Sequence, residues 1–281
     1  MQEGTFSKTA QRVAIRRAAH QLLDEPRVLD DPLALRIIGF DAERVLRSDP
    51  KEHHAFSRAF RAFMVARSRY AEDELARAVG HGVTQYVVLG AGLDTFAYRN
   101  PHAGLRVYEV DHPATQAWKR EQLQAAGIAI PPSLTFVPVD FEQQTLADGI
   151  VQSGFNTNSA AFFSWLGVTP YLTREACTST LSFIGKMPTE SGVVFDFALD
   201  PALLNAGQRQ ALDALSKRVA AAGEPFQLFF DPEKLQQELK KLGFRRTEFL
   251  QGAQINARYF KDRKDGLLVR GGLGHLMGAW V

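Results

Sequence analysis

One short run constrains this chain more than any other: Gln85-Tyr86-Val87-Val88-Leu89, passing directly into Gly90-Ala91-Gly92. A brief apolar run without polar alternation predicts a strand buried on both faces, as in a parallel sheet covered by crossover helices. Two glycines at its end let backbone approach a ligand closely, because no Cβ intervenes. The same grammar recurs downstream. Strands are expected at Leu105 to Val110, Leu134 to Val139, Ala160 to Phe163 (extending toward Leu166) and Gly192 to Ala198. Helices from Ala114 to Ala126 and from Thr173 to about Lys186 separate them. Two further strands, near Thr247 to Leu250 and Leu273 to Val281, complete an α/β fold: a mostly parallel seven-stranded sheet with helices on both faces.

The flanks read differently. Residues 1–80 lack period-2 alternation and are rich in Ala, Arg, Leu and Glu, with breaks at Glu25-Pro26, Asp31-Pro32 and Asp49-Pro50. They predict an N-terminal helical cap. Its main helix should run from about Glu52 to Val79, with Phe56, Phe60, Phe63, Arg67, Ala71, Glu74 and Ala78 on the inward face. Residues 81–281 form the sheet domain, with a helix from about Pro201 to Ala222 and the segment Phe226 to Phe230 as an insertion over 201–230. Asp231 and Pro232 then open a helix that ends near Leu242, with Gly243 behind it. Cap and sheet together read as one structural domain.

Composition excludes several alternatives. With 22 Gly and 13 Pro in 281 residues, collagen-like and largely disordered chains are ruled out. Lys and Arg number 33 against 31 Asp and Glu, a balance with no broad footprint for nucleic acid or an anionic membrane. Met1 to Gln11 is polar, without the apolar core of a secretory signal, and no run approaches the roughly 20 apolar residues that span a bilayer. A cytoplasmic location and a small-molecule partner are expected. The single Cys177 precludes an intramolecular disulfide and reads as helix packing. His20, His53, His54, His81, His102 and His275 show no metal-ligand spacing.

The carboxyl ends of the strands indicate the ligand. Asp111 closes the second strand nineteen residues beyond Gly92, where an acid accepts hydrogen bonds from a ribose diol. Asp140 closes the third strand beside it. NAD would need a third glycine and a free helix N-terminus for its pyrophosphate. Here Thr95 occupies that position, and Asp94 would set a negative charge against two phosphates. S-adenosylmethionine has no phosphate and carries a sulfonium and an ammonium, so the carboxylates favour it. A nicotinamide-dependent oxidoreductase and a binding or scaffold protein without turnover stay open as alternatives.

The motifs carry a further likeness. Ala66-Arg67-Ser68-Arg69-Tyr70 with Glu72-Asp73, Val88-Leu89-Gly90-Ala91-Gly92-Leu93-Asp94-Thr95 with Tyr98-Arg99, and Tyr108-Glu109-Val110-Asp111-His112-Pro113 follow one another. Val137-Pro138-Val139-Asp140-Phe141 and Tyr171-Leu172 come after them. In this order the chain resembles class I S-adenosylmethionine-dependent methyltransferases, and among them the leucine carboxyl methyltransferase family with its bacterial relatives. The resemblance implies a Rossmann-like fold, S-adenosylmethionine as cofactor, and an arginine ahead of the glycine loop that grips the methionyl carboxylate. Arg67 shares the phenylalanine face, so it points inward and needs an anion, either the ligand or Glu74. Arg69 lies about 200° around the helix and pairs outward with Asp73.

The resemblance further gives Gly90, Ala91, Gly92 and Asp94 to the cofactor loop, Asp111 with His112 to the ribose, and Asp140 with Phe141 to adenine. Relatives place a glutamate shortly before the Tyr-Leu pair; Phe163 to Tyr171 contains no acid. The methionyl amine would then fall to a backbone carbonyl of Gly90 or Ser164. The implied activity is O-methylation of a carboxylate or hydroxyl on a small acceptor. Only a hydroxyl requires a base, for which His112 and Tyr171 are the candidates. Tyr171 and Trp165 are expected as pocket walls. An apolar acceptor is expected between the cap and the 201–230 insertion, against Phe56, Phe60, Phe226, Phe229 and Phe230.

Overall fold

Seven strands share one sheet in the order β3-β2-β1-β4-β5-β7-β6. They are β1 (Gln85–Leu89), β2 (Arg106–Asp111), β3 (Leu134–Pro138), β4 (Phe162–Trp165), β5 (Gly192–Ala198), β6 (Arg246–Leu250) and β7 (Gly274–Trp280). The first five run parallel, and β7 lies antiparallel between β5 and β6. This computed structural model describes residues 7–281 except 40, 142, 222 and 273. Parts of three expectations therefore lie outside the described residues: the polar start from Met1, the helix end at Ala222 and the strand start at Leu273.

Ten helices are found among the described residues. In the N-terminal part, α1 (Lys8–Leu23) and α2 (Ala34–Ile37) are separated at Glu25-Pro26 and Asp31-Pro32, and α3 (Ala42–Ser48) and α4 (Ala55–Gly80) at Asp49-Pro50, while no proline lies between α2 and α3. In the sheet domain, α5 (Pro113–Ala125), α6 (Leu146–Val151), α7 (Arg174–Gly185), α8 (Ala206–Ala220), α9 (Pro232–Lys241) and α10 (Gly252–Tyr259) follow. The expected 201–222 helix is two elements, because Asp200 caps a single 3-10 turn at Pro201–Leu203 and Asn205 starts α8 with a capping box. The helix α10 had no counterpart in the sequence reading.

Alternation along each buried strand divides the core. Tyr86, Val88, Phe162 and Val194 face α4, with Phe63, Tyr70 and Leu75 packed on them. Val87, Leu89, Phe163, Trp165, Phe195 and Phe197 face the other side, against Leu181 of α7 and Leu235 of α9. Cys177 belongs to that second layer at 1% exposure, and burial pushes its thiol up to about 12.

Two expectations are corrected here. Phe56 is 51% exposed; among the described residues its ring contacts are Phe60 and the Arg218 guanidinium, because the core packed on α4 begins at Phe60. Trp165 is not a pocket wall. Its neighbour Ser164 points to the α4 side, so the two-residue period sends the indole into the opposite core beside Phe195.

Candidate cofactor cleft

In an open parallel sheet, ligands sit beyond the carboxyl ends of the strands, where the strand order reverses. Here the reversal falls between β1 and β4, and a cavity of about 580 Å³ opens there. That size suits a nucleoside-sized ligand with room beside it. Arg67, Gly90, Ala91, Gly92, Asp94, Asp111, His112, Asp140, Phe141 and Ser164 all line this cavity, as does Tyr171.

The loop after β1 owes its shape to its glycines. Gly90 has φ +67°, and a Cβ there would collide with Val168 Cγ2. Gly92 has φ +45°, and a Cβ there would come within 2.9 Å of the Ala10 methyl on α1. Left-handed backbone and close neighbours thus both demand glycine. The Gly92 N–H donates to Asp111 Oδ2 at 2.6 Å, and the His112 N–H donates to Asp111 Oδ1 at 2.7 Å. Burial raises the Asp111 carboxyl above its ordinary range, with these two donors partly opposing. Asp94 is also opposed by burial, but Arg17, Lys119 and Arg99 hold it below the usual value.

His112 serves chiefly as a cap. Its Nδ1 accepts from the Ala114 N–H at 3.2 Å at the start of α5, and its Nε2 lies 3.8 Å from Asp140 Oδ2. Asp140 is not a helix cap; Thr145 starts α6, while Asp140 Oδ2 accepts from the Gln143 amide at 2.9 Å. Ser164 Oγ accepts from the Tyr86 hydroxyl at 2.7 Å at the cleft floor.

Arg67 is 4% exposed, and its partner is not Glu74, which pairs with Arg77 and Arg258 instead. Arg67 Nη1 donates to Asp196 Oδ2 at 2.7 Å, and the other carboxylate oxygen accepts from the Gly167 N–H at 2.5 Å. The Nε of Arg67 is buried without a hydrogen-bond partner. An orphaned guanidinium N–H on a cavity wall fits a ligand carboxylate. Gly167, with φ +76°, leaves the room for it, since a Cβ would lie 2.9 Å from Nη2. Arg69 makes the outward pair with Asp73 at 2.8 Å.

Several cleft residues escaped the sequence reading. Arg17 of α1 donates to the Leu93 carbonyl at 2.6 Å and lies 3.2 Å from Asp31 and 3.4 Å from Asp94. Glu72 is held by Arg99. Glu224, just after α8, accepts from the Thr9 N–H at 3.1 Å and from the Thr9 hydroxyl. Arg17 shares a buried stripe with Ala14, Ala18 and Gln21, a period that could have flagged it. Glu224 carries no local signal. The expected aromatic wall is also absent from the lining: Phe230 packs edge-on against Phe197, and Gly223, Glu224, Pro225 and Gln227 face the cavity.

A glycine loop after the first strand, acids closing the second and third, and an antiparallel strand inserted beside the fifth define a class I methyltransferase. Comparison with known proteins agrees. The chain belongs to the leucine carboxyl methyltransferase family, which matches residues 10–185. YktD of Bacillus subtilis (strain 168), named as an S-adenosyl-L-methionine-dependent methyltransferase, is 35% identical over 292 aligned residues covering 95% of each chain. A Saccharopolyspora erythraea protein of the same description is 34% identical over 63% of this chain and 61% of its own. The crystal structure of a Thermobifida fusca YX protein described as a methyltransferase has the same fold, with TM-score 0.59 over 99% of this chain and 96% of that one, at 14% identity. The protein is an S-adenosylmethionine-dependent methyltransferase, which answers the nicotinamide and scaffold alternatives. No helix among the described residues is long and apolar enough to cross a membrane.

Proposed function

We propose that the chain methylates an oxygen, carboxylate or hydroxyl, of a small acceptor, and that the cofactor lies along the cleft from Arg67 to Asp140. S-adenosylmethionine supplies an activated methyl group on sulfur. The protein's task is alignment and exclusion of water, an effect that can reach roughly 7–11 kcal/mol. In this reading the free edge of Arg67 takes the methionyl carboxylate, and the backbone of Gly90, Ala91 and Gly92, with Ser164, flanks the methionyl amine. Asp94 adds negative charge beneath the glycine loop. Asp111, beside His112, accepts from the ribose hydroxyls, and Asp140 with Phe141 receives adenine. The observation that carries this reading is that Arg67, whose Nε is buried without a hydrogen-bond partner, and Asp111 line the same cavity.

The same reading assigns residues 1–80 to a cap over the cleft and 81–281 to the methyltransferase domain, with 201–230 contributing the acceptor wall. We expect a cytoplasmic enzyme whose partner is its acceptor, with no role for nucleic acid or membrane. Calorimetry with S-adenosylhomocysteine tests the assignment. Asp111→Ala should weaken binding at least about tenfold, a loss of about 1.4 kcal/mol. An unchanged dissociation constant would remove Asp111 from the ribose.

A further inference from the structure

We infer that Glu72 is the charged partner of the cofactor's methionyl ammonium, so that one helix, α4, takes both charges of the amino-acid end. The inference rests on the cofactor placement above, in which Arg67 receives the carboxylate. The cavity lining draws Arg67, Ser68, Ala71 and Glu72 from α4. At about 100° and 1.5 Å per residue, Arg67 and Glu72 stand at the two edges of that face, about 7.5 Å apart along the axis. The small Ser68 and Ala71 lie between them. A cation and an anion flanking such a strip match a carboxylate and an ammonium that hang from one carbon.

The charges linked to Glu72 do not cancel. Arg99 Nη1 donates to Glu72 Oε2 at 2.9 Å and Arg99 Nη2 donates to Oε1, a two-pronged hold that fixes the carboxylate. Each oxygen keeps a second lone-pair site for a further donor. The same Arg99 lies 3.5 Å from Asp31, and Arg17 lies 3.2 Å from Asp31 and 3.4 Å from Asp94. Lys119 also acts on Asp94, but it is paired with Glu109 at 2.7 Å and so adds a neutral unit. Among these linked residues, two guanidinium groups serve the carboxylates of Glu72, Asp31 and Asp94, which leaves one negative charge in excess. Burial pushes the Glu72 carboxyl up, and Asp94 and Asp31 add to the push against Arg99. A cation arriving beside Glu72 restores the balance.

The other acids of the lining are placed for different work. Asp111 and Asp140 stand at the ends of β2 and β3, toward the adenosine, and Glu224 sits after α8, bonded to Thr9. Asp94 is drawn into its own turn, where Oδ1 accepts from the Phe96 N–H at 2.8 Å and Oδ2 faces Arg17. The segment from Phe163 to Tyr171, which meets Arg67 at Gly167, brings no acid. Glu72 shares its helix with Arg67.

The test is calorimetry on the full-length protein with three ligands. They are S-adenosylhomocysteine, its deaminated analogue (carboxylate kept, hydrogen in place of the amine) and methylthioadenosine, which lacks the amino-acid end. The unaltered protein should bind S-adenosylhomocysteine at least about tenfold more tightly than the deaminated analogue. Glu72→Gln should erase most of that ratio, while the deaminated analogue and methylthioadenosine stay within about twofold of their original affinities. Glu72→Asp keeps the charge and draws it back by one bond, and should show the same selective loss in weaker form. Arg67→Ala should weaken both carboxylate-bearing ligands and spare methylthioadenosine. A deaminated analogue bound as tightly as S-adenosylhomocysteine would overturn the inference. So would Glu72 variants that leave S-adenosylhomocysteine unchanged, or that weaken all three ligands alike, since the residue would then only shape the cleft. Failure of the unaltered protein to bind S-adenosylhomocysteine, or indifference of both carboxylate ligands to Arg67→Ala, would instead overturn the cofactor placement.

Discussion

Asp196 of β5 holds Arg67 of α4 at 2.7 Å, across 129 residues of sequence, and is not itself part of the cavity lining. The carboxylate fixes one edge of the guanidinium from within the core and leaves the Nε edge unpaired. Both partners are nearly inaccessible, at 4% and 6% exposure. Asp196→Asn keeps the shape but removes the counter-charge of a buried cation. The variant should lose about 3–5 kcal/mol in urea denaturation without cofactor. A loss below about 1 kcal/mol would mean that water reaches Arg67.

The two arginines of the Arg67-Ser68-Arg69 segment should separate cleanly. Arg67→Ala should weaken S-adenosylhomocysteine at least about tenfold in calorimetry. Arg69, half-exposed and paired with Asp73 one turn on, should contribute only a few tenths of a kcal/mol to stability. Its alanine variant should bind normally.

Gly90 combines a left-handed φ of +67° with contact against Val168. Gly90→Ala should cost about 1–3 kcal/mol from overpacking, with backbone strain in addition. Adding Val168→Ala should recover the steric part and leave the strain. Thermal unfolding of the single and double variants measures both. Equal melting temperatures for the two would show that the collision is relieved by other means.

Strong acid should weaken the tie between Asp24 and α4. Arg61 is fully buried, and its Nη2 and Nε donate to Asp24 at 2.8 and 2.6 Å; His20 Nδ1 lies 2.9 Å from the same carboxylate. Burial opposes the Asp24 carboxylate, yet Arg61 and His20 hold it at about 2, below the ordinary 3.8. A depressed carboxyl contributes its full stability above about pH 4 and loses it as the pH falls toward 2, a contribution of about 2.5 kcal/mol. Asp24→Asn should therefore be less stable at pH 7, and its deficit should shrink between pH 4 and pH 2. A deficit that stays constant across that window would show that Asp24 does not titrate with folding.

Local pattern made most of the cofactor end readable. Gly90, Gly92 and Asp140 follow strand ends and Asp111 closes β2, so continuous sequence places them at one edge of the sheet. The inward aim of Arg67 followed from helical period alone. Its partner did not, because Glu74 is close in sequence whereas Asp196 becomes close only when β5 packs under α4. Alternation along Val194, Phe195, Asp196 and Phe197 does point Asp196 toward α4, a signal visible once the sheet order is known. The same alternation explains why Ser164, not Trp165, reaches the cleft.

What the sequence by itself determined, then, is the sheet, its glycine loop and the acids at its edge, since each depends on backbone geometry and periodicity within a dozen residues. The cavity wall built by α1 and the segment after α8 was decided only by tertiary structure. Thr9, Arg17 and Glu224 meet there because α1 folds back over the strand ends and the segment after α8 docks on Pro170 and Tyr171. Such contacts depend on which helix faces pack together, and no local period records that choice.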